Sequence, residues 1–380
     1  MSNPKIWLST PHMGGSELNY IHEAFDTNWI APLGVNITEF EHDLEDYLSQ
    51  DVFATALSSA TAAIHLGLIL LGVKAGDVVI CQSMTFSASA NPILYQGATP
   101  IFVDSEIETW NLCPIALEAA IVETVHKGQV PKAIITVHLY GVPYKIDEIR
   151  AIANKYNIPI LEDSAEALGS SYKGKKCGTF GDISVFSFNG NKIITTSGGG
   201  VLITSSQQTK KKAQFLASQA KDDAPHYQHS ELGYNYQMSN ICAGIGRGQM
   251  KVLEKHIALR RAMHDFYVSF FENISGITVF STTNPDYFAN YWLTSILVNP
   301  AETKNGIDRE TIRLALLDSN IECRPLWKPM HLQPLYENYP FYGNKIAETL
   351  FENGLSLPSG SNLTDSDRDR IRTALLKLLC

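Results

Sequence analysis

The run Ile160-Leu161-Glu162-Asp163-Ser164-Ala165-Glu166 decides the fold, together with a second run beyond a short spacer. The second run is Asp182-Ile183-Ser184-Val185-Phe186-Ser187-Phe188-Asn189-Gly190-Asn191-Lys192, and beyond it stand the glycines Gly198, Gly199 and Gly200. A carboxylate, Asp163, closes one apolar β-branched segment, and a lysine, Lys192, comes after a second. Segments of this kind read as parallel strands whose C-terminal ends share one sheet edge, the edge where open α/β sheets bind ligands.

Outward from this stretch, strand-like and helix-like patterns alternate. Strands are expected at 52–57, 77–81, 99–103, 132–137, 158–161, 183–188 and 200–204, with helical patterns between them, such as 145–156 with Ile146, Ile149, Ile152 and Tyr156 on one side. The alternation predicts an α/β chain whose large domain has a mainly parallel seven-stranded sheet covered by helices. Upstream, Asn36 is placed to cap a helix and Glu39 to complete its capping box. Downstream, one long helical pattern runs over 238–272. The remainder mixes strands (277–280, 291–298, 320–324) with helices (309–317, 345–352, 364–379). The predicted division is therefore 1–250 for the N-terminal segment and large domain, and 251–380 for a linking helix and a smaller α+β domain.

Composition narrows the function classes. With 380 residues, 44% of them hydrophobic and 18% charged, the chain can bury a sizeable core. A formal net charge of -9 disfavours a broad nucleic-acid surface, so any phosphate must be held locally. Cys81, Cys113, Cys177, Cys242, Cys323 and Cys380 show no C-x-x-C or zinc spacing, and the histidines form no metal motif. No metal site is expected. The opening Met1-Ser2-Asn3-Pro4-Lys5-Ile6-Trp7 lacks the apolar core of a signal peptide, and no apolar run reaches spanning length, so a cytoplasmic chain without membrane contact is expected.

A lysine near a carboxylate, with hydroxyls and glycines around them, suits pyridoxal 5'-phosphate (PLP). The cofactor's aldehyde needs an amine, and its ring nitrogen needs an acid partner to stay protonated. Lys192 is the candidate amine and Asp163 the candidate ring partner. Each residue alone has a plainer reading, a solvated loop lysine and a turn aspartate. The start of the helix after Leu57, reading Ser58-Ser59-Ala60-Thr61-Ala62, offers free backbone amides and the positive end of the helix dipole to an anion, although Ser59 could equally be an ordinary cap.

Three ordered motifs resemble the DegT-like family of nucleotide-sugar aminotransferases, PLP enzymes of fold type I. They are Glu162-Asp163-Ser164-Ala165 through Gly169, Phe186-Ser187-Phe188 through Lys192, and Thr195-Thr196-Ser197-Gly198-Gly199-Gly200, where the family has T-x-G-E-G-G. The resemblance extends to Gly354-Leu355-Ser356-Leu357-Pro358 and so covers nearly the whole chain. It implies that Ser59, Ala60 and Thr61 hold the PLP phosphate, with Ala60 in place of the family glycine, and that Ser187 adds a second hydroxyl. It implies further that Phe86 stacks on one ring face, Ala165 packs on the other, and Glu166 reaches the phenolic oxygen.

The segment Gly233-Tyr234-Asn235-Tyr236-Gln237-Met238-Ser239 resembles the family's G-x-N-x-R-M-S. Its Asn235 would complete the neighbouring subunit's phosphate site, making the protein a homodimer with shared active sites; Gln237 stands where the arginine usually is. The segment Arg324-Pro325-Leu326-Trp327-Lys328-Pro329-Met330-His331 carries groups suited to a diphosphate, a sugar face and a hydroxyl. With Asn28-Trp29-Ile30-Ala31-Pro32, it resembles transaminases that make the UDP-N-acetylbacillosamine precursor, which points to Asn28, Trp29, Arg324, Lys328 and His331 as substrate contacts. The expected reaction moves an amine from L-glutamate, released as 2-oxoglutarate, to a nucleotide-linked 4-keto-6-deoxy sugar, with PLP alternating with pyridoxamine 5'-phosphate. A related sugar dehydratase would carry histidine at position 192. A nicotinamide enzyme would carry G-x-G-x-x-G after an early strand, and neither is present. A non-catalytic nucleotide-sugar binder on the same scaffold is the rival from another class.

Overall fold

A computed structural model describes residues 4–48 and 51–379; Met1, Ser2 and Asn3 of the opening segment, and Cys380, lie outside the described residues. Its main sheet contains strands β1 (Phe53–Leu57), β2 (Val78–Gln82), β3 (Thr99–Val103), β4 (Ala133–Val137), β5 (Ile160–Asp163), β6 (Ile183–Ser187), β7 (Gly200–Thr204) and β8 (Phe341–Tyr342), in the order β1-β7-β6-β5-β4-β2-β3-β8. Only β7 runs against the others. β2 and β4 are buried along their whole length, as expected of central parallel strands packed on both faces.

The seven expected strands all form, and the eighth is an addition. β8 is two residues long and pairs in parallel with β3, too short to show any periodic pattern. It reaches back from the C-terminal third of the chain to extend the large sheet.

Helices α1 (Glu17–Asp26) and α2 (Val35–Leu48) precede the sheet. Asn36 does not cap α2. It lies inside the helix, buried, with Nδ2 donating to the Tyr20 and Asn240 carbonyls and Oδ1 accepting from Arg247. A tertiary network thus outcompetes the local cap. Next come α3 (Ala60–Leu70) and α4 (Ser87–Tyr95). The single helix expected over 238–272 is two, α5 (Asn240–Met250) and α6 (Leu253–Phe271). Val252 breaks the run: its N–H bonds the Gln249 carbonyl three residues back, and no glycine or proline there announces the turn.

Beyond α6 the strands 277–279, 294–298, 354–357 and 324–325 form an antiparallel sheet in that order. Helices 309–318 and 365–379 pack with α6 around its apolar face through Tyr267, Ile296, Ile312, Leu355 and Ile371.

Candidate active site

A cavity of about 640 Å³ opens at the C-terminal ends of β5 and β6, between the large sheet and the C-terminal sheet. Its walls include Ser59, Ala60, Thr61, Phe86, Asp163, Ala165, Glu166, Ser187, Lys192 and Arg324, ten of the residues singled out in the sequence.

Lys192 points inward, with Nζ 3.2 Å from Glu166 Oε1 and 4.2 Å from the centre of the Trp292 ring. Glu166 Oε2 accepts the Tyr140 N–H at 2.7 Å. Burial pushes the Glu166 carboxyl up to about 7, against the opposing charge of Lys192 and the Tyr140 bond. Asp163 closes β5, buried. Its Oδ2 accepts the Ser89 hydroxyl at 2.6 Å, a hydroxyl itself linked to Thr85, and its Oδ1 accepts the Ala165 N–H at 3.1 Å. Burial raises its pKa even so, because these bonds and the nearby Lys192 offset only part of the desolvation. An anion so placed favours a cationic N–H partner.

The neighbouring Glu162 points to the other side of the strand and has a structural task. It accepts from His138 Nε2, the Ser164 and Ser184 hydroxyls and the amides of Gly178, Phe180 and Gly181. Burial would raise its pKa, but His138 and this set of donors hold it down to about 2. Two adjacent carboxylates thus have opposite environments, one saturated with donors and one left short of positive charge.

The floor of the cavity is the start of α3. Ser59 Oγ accepts the Ala62 N–H at 3.1 Å, so the plain capping role does occur. The amides of Ala60 and Thr61 precede the first intrahelical bond and remain available to an anion. β7 begins directly against this turn: a Cβ on Gly200 would overlap the Ala60 nitrogen and the Ser59 carbonyl carbon. Gly200→Ala should therefore push the helix start out of line and weaken PLP retention on the order of tenfold, from the roughly 1–3 kcal/mol that overpacking costs. Equilibrium dialysis of the variant against PLP measures it, and unaltered retention would show that the turn absorbs the methyl group. Ser197, where the family pattern has glycine, sits at φ +73°, a left-handed conformation glycine adopts more readily.

The other expected contacts lie elsewhere. Lys328 is exposed in a groove of about 710 Å³ that adjoins the cavity and shares Phe86, Arg324 and Trp327 with it. His331 is half-buried outside the cavity, its Nδ1 2.7 Å from Ser83 Oγ and its ring stacked on Phe341, where it fastens the C-terminal part to β2. Asn28 and Trp29 come after α1, with the Trp29 carbonyl held by Asn240, and neither lines the cavity. Asn235 is exposed and also outside the cavity of its own chain.

Sequence reasoning missed Trp292, Tyr140, Ser89 and the fully buried Arg260. For Arg260 a signal existed: it falls on the same helical stripe of α6 as Ile257, Met263 and His264, an arginine among core positions. Among the described residues there is no cluster of three or more His, Cys, Asp or Glu suited to a metal, and no helix is long and apolar enough to cross a membrane.

An amine facing a charge-starved buried carboxylate, above a helix start with free amides and the Thr61 and Ser187 hydroxyls, is a donor set that fits PLP. Comparison with known proteins agrees. The DegT/DnrJ/EryC1/StrS aminotransferase family matches residues 11–376. The Bacillus subtilis protein EpsN, named as a pyridoxal phosphate-dependent aminotransferase, is 49% identical over 381 residues, covering 98% of this chain and 96% of that one. GDP-perosamine synthase of Escherichia coli O157:H7 is 39% identical over 355 residues, 93% of each chain. The PLP form of a sugar aminotransferase from Streptococcus pneumoniae superposes with a TM-score of 0.87 at 27% identity, covering 100% of both chains. This chain belongs to the DegT/DnrJ/EryC1/StrS aminotransferase family, and it is a PLP-dependent sugar aminotransferase of fold type I.

Proposed function

We propose that the chain transfers the amine of L-glutamate to the 4-keto carbon of a UDP-linked 4-keto-6-deoxy-N-acetyl sugar, a bacillosamine-type step in glycan biosynthesis. The observation that carries the catalytic part is the meeting of Lys192, Asp163 and the open start of α3 in one cavity. When bound, PLP supplies an electrophilic carbon and an electron-accepting ring. Lys192 Nζ would anchor it and would carry the proton to and from the donor's α-carbon. Asp163 holds the proton on the ring nitrogen. The Ala60 and Thr61 amides, with the Thr61 and Ser187 hydroxyls, fix the phosphate, while Phe86 and Ala165 flank the ring.

The nucleotide part of the reading rests on the adjoining groove. Lys5, Arg313, Arg324 and Lys328 line it together with Glu310 and Glu322, which pair with Arg313 and Arg324 and leave the lining an excess of two positive charges on an acidic chain, beside the Phe86 and Trp327 rings 5.6 Å apart. A diphosphate suits this excess and a sugar or base face suits the rings. His331, Asn28 and Trp29 have no such support as substrate contacts from the same chain. The identity to GDP-perosamine synthase favours a second reading, a GDP-linked 4-keto-6-deoxy sugar. Product analysis with UDP-, dTDP- and GDP-linked 4-keto sugars decides between them.

The exposed Asn235 supports an arrangement in which it completes the phosphate site of a second copy, giving a homodimer. The five described cysteines are unpaired, which suits a cytoplasmic setting.

Glu166 has a measurable part. Its protonated form can donate to the cofactor's phenolic oxygen, whereas its ionised form can only accept. With the carboxyl pushed up to about 7, wild-type donor half-reaction rates should fall as pH rises through neutrality. Glu166→Gln should flatten that limb in stopped-flow traces taken from pH 6 to 9. An unchanged limb removes Glu166 from this role.

A further inference from the structure

Arg260 is fully buried at the middle of α6, and among the described residues no carboxylate forms an ion pair with it. A guanidinium placed so costs several kcal/mol in desolvation unless its donors are well used. They are spent on a single region. Nη1 donates to the Trp292 carbonyl at 2.6 Å and the Ser359 carbonyl at 3.3 Å; Nη2 donates to Ser9 Oγ at 3.0 Å and to the carbonyl of Lys192 at 3.3 Å. Nε has no partner among the described residues.

The acceptors are themselves connected. Ser9 Oγ donates to the Asn191 carbonyl at 2.7 Å, and Trp292 Nε1 donates to that same oxygen at 2.7 Å. The two peptide carbonyls at and before the lysine are thereby fixed, one by Arg260 directly and one through residues Arg260 holds. The Trp292 indole beneath Lys192 Nζ is fixed by the same cation. The network joins four distant parts of the chain: the N-terminal arm, the lysine loop, the segment before strand 294–298 and the turn after strand 354–357.

We propose that Arg260 is the positioning residue for the reactive amine, a buried planar cation that sets the backbone of Lys192 and the aromatic surface under its side chain. The proposal rests on Lys192 being that amine. Lysine cannot substitute, because a single ammonium with three donors lacks the rigid fork that reaches these four acceptors.

The test uses the PLP-loaded enzyme with Arg260→Lys and Ser9→Ala, the second cutting the Arg260–Ser9–Asn191 link without touching the core. Borohydride reduction and then peptide mapping come first. If PLP is not fixed at residue 192 in the wild type, the lysine assignment fails and Arg260 is not at issue. If it is fixed there, Arg260→Lys should lower kcat about 100-fold, the scale of a 1 Å misplacement, with KM for the sugar within about twofold. The absorbance band of bound PLP should also change its pH midpoint. Ser9→Ala should move kcat and the midpoint in the same direction by a smaller factor, and it carries the test alone if Arg260→Lys does not fold. A lowered melting temperature with kcat per bound PLP and the pH midpoint both unmoved overturns the proposal, since that is the outcome of a merely structural role.

Discussion

Lys192→Ala should abolish steady-state transamination, with a loss exceeding about 10⁴-fold, because in the proposed assignment one atom both anchors the cofactor and carries the proton. The fold should survive. Nζ lies in a cavity rather than in the core, and its neighbour Trp292 keeps its indole bond to the Asn191 carbonyl. Glu166 loses its positive partner, and that loss shifts its carboxyl further toward the neutral form, which limits the buried charge left behind. The variant should still bind PLP through the start of α3, yet borohydride should no longer fix it to the chain. Multiple turnover by this variant, read by coupled detection of 2-oxoglutarate, would remove the assignment.

Asp163→Asn should leave PLP bound and slow the donor half-reaction about 10²–10³-fold, the usual scale for losing one preorganised electrostatic contact. The amide fills the same space, and the Ala165 N–H and Ser89 hydroxyl can still find partners on it. What disappears is the negative charge proposed to keep the ring nitrogen protonated. Single-turnover rates with L-glutamate report this directly, and rates equal to wild type would refute the role of Asp163. Glu162→Gln makes a useful contrast, since that carboxylate faces a shell of donors rather than the cavity.

The sheet and the heart of the site are legible in the sequence for one physical reason: both are written in contiguous residues. Seven strands appear as apolar runs because a sheet covered on both faces leaves no polar alternation to obscure them. Asp163, Lys192 and the start of α3 sit at the ends of such runs, so finding the strand finds the residue. Contacts made across the chain are not legible. Arg260 meets Lys192 over 68 residues and Ser9 over 251, and nothing local marks either meeting. Asn36 looks like a cap until Arg247 and Tyr20 claim it. His331 stands in a segment rich in ligand-like groups, but only packing reveals that it faces Ser83 and Phe341 while Arg324 faces the cavity. The break at Val252 has no sequence signal.

β8 holds the C-terminal third of the chain against the large sheet. The Phe102 N–H bonds the Pro340 carbonyl and the Asp104 N–H bonds that of Tyr342, while the Asp104 carboxylate takes the first amides of helix 346–353. The C-terminal third is stitched to the far edge of the large sheet and cannot swing as a hinged flap without tearing main-chain bonds. The mouth of the cavity is framed by side chains, the exposed Phe86 and an Arg324 that Glu322 holds through Nε and Nη2.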